Sequence, residues 1–268
     1  MDLIRCAHIG PCVAVTGITT ALAISTGIGA RALWAAAAVM AGQLSVGWSN
    51  DWLDARRDRA AGRTDKPLAR GTLPVATVRR AAFVALAACA ALSLACGIRA
   101  TVVHLLAVGM AWGYNFGLKR TPASVVPYAL SFALLPIFVT LASPARSMPG
   151  GWAIAAAGFL GAGAHFTNTL PDLDADTRTG IRGLPHRLGP TRSLAATVAL
   201  LATAGTFVTL GPQGPPPPGT LAIVTTGAAL LTAVVIASAK GHPRTAFRLT
   251  IGVALAMTTA LVTTGTQL

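Results

Sequence analysis

The 268-residue chain is 53% hydrophobic and only 11% charged, with a mean hydropathy of +0.64, which excludes an ordinary soluble globular domain. A formal net charge of +13 would point to nucleic acid in a soluble protein, but the apolar runs recur at bilayer-crossing length and exclude that partner too. The composition is that of an integral membrane protein.

Windows of roughly 17 to 20 apolar residues predict about nine transmembrane helices. They fall at 9–28, 32–50, 77–96, 100–117, 124–142, 150–169, 193–210, 220–238 and 247–265. The first is too long for a signal-peptide core and is read as a retained span. With the N-terminus in the cytoplasm, 18 of the 21 Lys and Arg residues fall on inner segments. Arg31, Arg99 and Arg146 remain outside, one to each of three connections. That segregation is what the positive-inside rule predicts for an odd number of spans, here in the cell membrane. Arg56, Arg57, Arg59, Arg79 and Arg80 are read as orientation and head-group residues, and His8, His104, His186 and His242 as interfacial or packing residues. Cys6, Cys12, Cys89 and Cys96 have no metal-type spacing and are read as buried packing. The four prolines at 215–218 read as a stiff outer connection.

The eight acidic residues are all aspartates, and every one lies on the inner side. Seven occupy two loops: Asp51, Asp54, Asp58 and Asp65 in the first, Asp172, Asp174 and Asp176 in the second. Laid on each other at an offset of 118 residues, NDWLDARRDRAAGRTDKPLARG and NTLPDLDADTRTGIRGLPHRLG agree at six of 22 positions. The matched pairs are Asn50/Asn168, Asp54/Asp172, Asp58/Asp176, Gly62/Gly180, Pro67/Pro185 and Gly71/Gly189. Four predicted helices separate the copies, so both emerge on one membrane face. The expected architecture is an all-α polytopic bundle, one domain over 1–268, with two related halves around a cytoplasm-facing cavity.

Residues at i, i+4 and i+8 line one side of a helix. If the second and sixth spans continue past the bilayer edge, Asn50, Asp54 and Asp58 project together, as do Asn168, Asp172 and Asp176. Clustered carboxylates need compensating cations, and oxygen-only ligation favours a hard ion such as magnesium. Magnesium prefers one or two carboxylates plus phosphate oxygens, so two facing sets suggest two or more ions bridging a diphosphate. Arg63, Lys66, Lys119, Arg120 and Arg182 are candidate further neutralisers. His165 lies three residues before Asn168 and is a candidate acid, base or diphosphate contact in the same cavity. Tyr114, at the inner end of the fourth span, reads equally as an interfacial anchor or a substrate contact.

The first loop, NDxxDxxxD followed by RTDKPL and RG, resembles the aspartate-rich signature of the UbiA superfamily of intramembrane aromatic prenyltransferases. The second, DLDAD followed by GIRGLPHRLG, is similar to that family's second motif, and Tyr114 with Leu118-Lys119-Arg120 to its inter-motif loop. The resemblance implies magnesium-dependent ionisation of a prenyl diphosphate and attack on the resulting cation by a small aromatic acceptor within the bilayer, as in quinone biosynthesis. It also implies Asp54, Asp58, Asp172 and Asp176 as metal ligands, Asp51 as ligand or supporter, and Asn50 and Asn168 as diphosphate contacts. A terpene cyclase of the same family would keep these residues and quench the cation within the prenyl chain. A transporter would place acids mid-membrane, and none lies there.

Overall fold

The computed structural model describes residues 2–64, 66–145, 147–214 and 217–264. Asp65, Arg146, Pro215 and Pro216 lie outside the described residues. The chain begins with the short α1 (Asp2–Arg5), then α2 (Ile9–Ser25), α3 (Arg31–Ala60), the one-turn α4 (Pro67–Arg70), α5 (Val75–Leu94) and α6 (Ile98–Phe116). Two 3-10 turns, Leu118–Arg120 and Pro122–Ser124, lead into α7 (Val125–Ala142) and α8 (Gly151–Thr169). A third, Leu170–Asp172, precedes α9 (Leu173–Arg178), α10 (Leu184–Leu210), α11 (Pro218–Ala239) and α12 (Pro243–Thr263).

Among the described residues nine helices have 17 or more residues, and each overlaps one predicted segment. Five are long and apolar enough to cross a membrane by length and composition: Val75–Leu94, Pro122–Ala142, Leu184–Leu210, Gly219–Ala239 and Arg244–Thr263. Leu33, Trp34, Phe83, Leu106, Val235 and Leu255 are exposed on the helix exteriors, a surface suited to lipid rather than water. Neighbouring contacts run from α2 through α3, α6, α7 and α8 to α12 and back to α2, closing a ring. α5 packs on α3 and α6, α10 on α8 and α12, and α11 against α12. The four cysteines are free and buried, as packing residues should be.

The 118-residue offset holds for whole helices. Arg31–Ala60 moves to 149–178, covering α8, the third 3-10 turn and α9; Pro67–Arg70 moves to 185–188, the first turn of α10. α5, α6 and α7 move onto the remainder of α10, α11 and α12. The shared glycines make the turns: Gly62 (φ 66°), Gly180 (φ 84°), Gly71 and Gly189 (both φ 76°) are left-handed, which glycine adopts without a Cβ penalty. Pro67 and Pro185 sit in the first turn of a helix, where a missing N–H costs nothing.

The halves differ at one point that matters for the site. α3 runs unbroken through its aspartates, whereas α8 stops at Thr169 and the chain passes through a 3-10 turn before α9. Pro171, which stands where α3 has Leu53, is the cause. It has no N–H for the Thr167 carbonyl, and its ring crowds that oxygen. The expected continuous extension therefore holds for the second span and fails for the sixth.

Candidate functional site

On α3, Asn50, Asp54 and Asp58 share one face, and Asp51, Asp54 and Asp58 are each at most 3% exposed. Carboxylates so buried require charged partners. The Lys119 Nζ, itself buried, donates to both oxygens of Asp54 at 2.7 and 2.6 Å and to Asn50 Oδ1 at 3.4 Å. Arg57 Nη2 donates to Asp54 Oδ2 at 3.0 Å and to Asp58 Oδ1 at 3.1 Å. Lys66 Nζ lies 2.9 Å from both Asp51 Oδ1 and Asp58 Oδ2, and His8 Nε2 2.9 Å from Asp51 Oδ1.

Burial opposes the Asp51 charge, but the hydrogen bond from His8 and the Lys66 charge outweigh it and hold the carboxyl below the usual aspartate range. Burial also opposes the Lys66 charge; Asp51 and Asp58 outweigh it and raise the ammonium above the ordinary lysine range. At Lys119 burial prevails over Asp54 and lowers the ammonium. The N-terminal segment is fastened over this network. Trp48 Nε1 donates to the Leu3 carbonyl at 2.8 Å, and Thr72 Oγ1 to Asp2 Oδ2 at 2.8 Å. A Cβ at Gly47 would collide with the Ala7 carbonyl, so glycine permits the close approach.

The second motif is open. Asp172 and Asp174 are exposed; Asp176 is partly buried, its Oδ2 3.5 Å from His186 Nε2. Burial raises the Asp176 carboxyl, against the lowering charges of His186 and Arg57. Burial likewise lowers the His186 imidazole, against the raising charge of Asp176. Two of the bases that close the first motif, Arg57 and Lys66, align at the same offset with Ala175 and Leu184.

Both motifs reach one cavity of about 400 Å³. Asn50 comes to it from α3, and Asn168, Asp172 and Asp176 from the second motif, while Val15, Ala111 and Phe132 give it an apolar side. Tyr114 lines this cavity together with Asp176, whose carboxyl the charge of Arg57 lowers. Arg57 Nη1 is buried and has no hydrogen-bond partner among the described residues, leaving a donor beside the first motif's carboxylates and within electrostatic reach of Asp176.

The donors fit a hard divalent cation in kind: carboxylate oxygens from two helices, with no thiolate among them. Among the described residues no three acidic, His or Cys groups are already gathered to hold one ion. Asp54 and Asp58 are instead engaged by Lys119, Arg57 and Lys66.

The other expected site residues are placed as follows. Lys66 and Lys119, expected as diphosphate neutralisers, are committed to carboxylates, and Asp51 faces His8 and Lys66. Arg63 is half-buried; Arg120 and Arg182 are exposed and stand outside the cavity lining. His165 is 2% exposed and lies behind the cavity, its Nε2 3.0 Å from Ser124 Oγ and its ring against Tyr114 and Tyr128. Arg57, read as an orientation residue, belongs to the site, as do His8 and His186, read as interfacial or packing. Arg57 had a visible signal, its spacing of three and one from Asp54 and Asp58. His8 had none, since 43 residues separate it from Asp51.

Fold and site together define a multi-pass integral membrane protein, built on a duplicated helical unit with an acidic site at one end. The chain belongs to the UbiA prenyltransferase family, whose pattern matches residues 11–263. It is 34% identical over 186 residues to the bacteriochlorophyll synthase 33 kDa chain of Cereibacter sphaeroides, a match covering 61% of this chain and 58% of that protein. The chain thus spans less than two thirds of that relative's length. The apo structure of a UbiA homologue from Aeropyrum pernix K1 is similar with a TM-score of 0.73 at 20% identity, over 93% of this chain and 98% of that one. A UbiA homologue from Archaeoglobus fulgidus bound to DMAPP and Mg2+ is similar with a TM-score of 0.70 at 17% identity, over 97% and 99% of the two chains. At such identities the likeness establishes the fold.

Proposed function

We propose that this chain is a magnesium-dependent intramembrane prenyltransferase, moving an isoprenyl group from a prenyl diphosphate to a small aromatic acceptor. The observation that carries the reading is the shared cavity: Asn50 of one motif beside Asn168, Asp172 and Asp176 of the other, next to an apolar wall. The Archaeoglobus fulgidus homologue bound to DMAPP and Mg2+ supports it from outside the chain. In this reading all nine long helices span the cell membrane and the N-terminus is cytoplasmic, the arrangement favoured by the distribution of Lys and Arg.

Asp172 and Asp176, with Asp54 and Asp58 of the first motif, would hold the magnesium, which when bound stabilises charge on the departing diphosphate. The remaining work falls to the chain's own residues. The Asn50 and Asn168 amides and the unpartnered Arg57 N–H orient phosphate oxygens. Lys66 and Lys119 keep the first motif's carboxylates ionised beside a polyanion. Arg63, Arg120 and Arg182 draw the diphosphate to the mouth. Val15, Ala111 and Phe132 exclude water from the allylic cation, and Tyr114 helps to seat the acceptor.

The test is incubation of the protein in bilayers with radiolabelled prenyl diphosphates of several lengths, with magnesium or with chelator. The acceptor panel comprises dihydroxynaphthoate, hydroxybenzoate, homogentisate and a bacteriochlorophyll precursor. Magnesium-dependent label on an acceptor is expected. Labelled hydrocarbon formed without any acceptor would convert the reading to a cyclase, and absence of metal-dependent diphosphate release would discard it.

A further inference from the structure

Outside the aspartate cavity, a second hollow of about 510 Å³ opens near the same end of the bundle. Leu170, Pro171, Leu194 and Phe247 make it largely apolar. Its polar groups are Thr191, Ser238 and Arg244. It lies where the end of α8, the bend of α10 at Gly189 and the α11–α12 connection come together. The 3-10 turn Leu170–Asp172 is a wall common to both hollows, with Leu170 and Pro171 lining this one and Asp172 the other.

Charge selects the occupant. After Asp176 the chain contains no acidic residue, while Arg187, Arg192, Lys240, Arg244 and Arg248 stand exposed on the bordering segments. Among the described residues Arg244 forms no ion pair. A small inorganic anion would leave the apolar walls unused, and a zwitterionic lipid would bring no net charge to the cluster. An amphiphile with an anionic head satisfies both, as basic pockets between helices at a membrane surface do generally.

We propose that this groove binds one anionic phospholipid of the adjoining leaflet. Arg244 and the Thr191 and Ser238 hydroxyls hold its phosphate, and Leu170, Leu194 and Phe247 carry the first acyl carbons. Through the common turn, occupancy steadies Asp172. The proposal stands apart from prenyl transfer, since lipid retention is read without turnover.

Native mass spectrometry of the full chain, offered phosphatidylglycerol or phosphatidylcholine of identical acyl chains, tests it. Phosphatidylglycerol should be retained about fivefold better, the worth of one cation near an anionic head group. Arg244→Gln should remove that preference. Ser238→Trp, which fills the groove without altering charge, should do the same. Arg99→Gln, an equal charge change at the start of α6, should leave the preference intact, and millimolar inorganic phosphate should not displace the lipid. Equal retention of both lipids, an equal loss in Arg99→Gln, or displacement by phosphate would overturn it.

Discussion

The two aspartate motifs share one residue pattern and equivalent places in the duplicated fold, yet the first is a closed ionic network and the second an open set of carboxylates. In the first, three buried aspartates are matched by Lys66, Lys119, Arg57 and His8. In the second, Asp172 and Asp174 are exposed, and Asp176 lies 3.5 Å from His186. The difference traces to a few neighbours: Leu53 against Pro171, and Arg57 and Lys66 against Ala175 and Leu184. A duplicated ligand pattern can thus become a neutralised wall or a receptive face while its two shared aspartates stay the same.

The contrast is sharpest where activity and stability are measured together. Asp54→Asn and Asp172→Asn should each lower turnover on the order of a thousandfold, the scale of losing transition-state charge stabilisation, with the protein still inserted. Full activity in either would discard the assigned site. Leu53→Pro imposes the second motif's break on the first and should cost about 3 kcal/mol or more, read as a lowered thermal midpoint. Pro171→Leu, the reverse exchange, should hold the midpoint but lose about tenfold in turnover as Asp172 swings away from the cavity. An unchanged rate would show that the open turn is dispensable.

Removing a carboxylate altogether separates the motifs by stability. Asp54→Ala strands the buried Lys119 ammonium and should cost about 3 kcal/mol, whereas exposed Asp172→Ala should stay within about 0.5 kcal/mol. Equal losses would erase the distinction.

The motifs also differ in their response to pH. The Asp51 carboxyl is depressed, so its contribution is complete above the unfolded value of about 3.9 and fades as pH falls through the lower folded value. The Lys66 ammonium is raised, so its contribution is complete below about 10.4 and fades as pH rises through the higher folded value. The midpoint difference between wild type and Lys66→Met should therefore be flat from about pH 5 to about pH 9. Asp176 has the opposite sign: its raised carboxyl favours the protonated form, and ionisation works against the fold. In chelator at pH 7, Asp176→Asn should thus raise the midpoint by about 1 °C. A fall there would mean that the His186 contact outweighs the burial of charge.

Much of this was readable along the chain. Apolar run length located every long helix, because a hydrocarbon slab allows few alternatives to helices of that length. The 118-residue offset linked the motifs and, through their glycines and prolines, the turns that follow them. Pro171 was also visible, and its consequence for the second motif could have been drawn from it. The role of Arg57 is harder, since a base three residues from an aspartate reads alike whether the pair is solvated or buried.

The sequence by itself determined a membrane-embedded helical protein with a duplicated acid-bearing unit, because bilayer thickness and helical periodicity act locally on the chain. Only the tertiary structure decided which acids are already neutralised. It alone brought His8 to Asp51 and closed Lys119 on Asp54. Burial and the approach of charges distant in sequence govern the free energy of an ionised group, and packing alone supplies them.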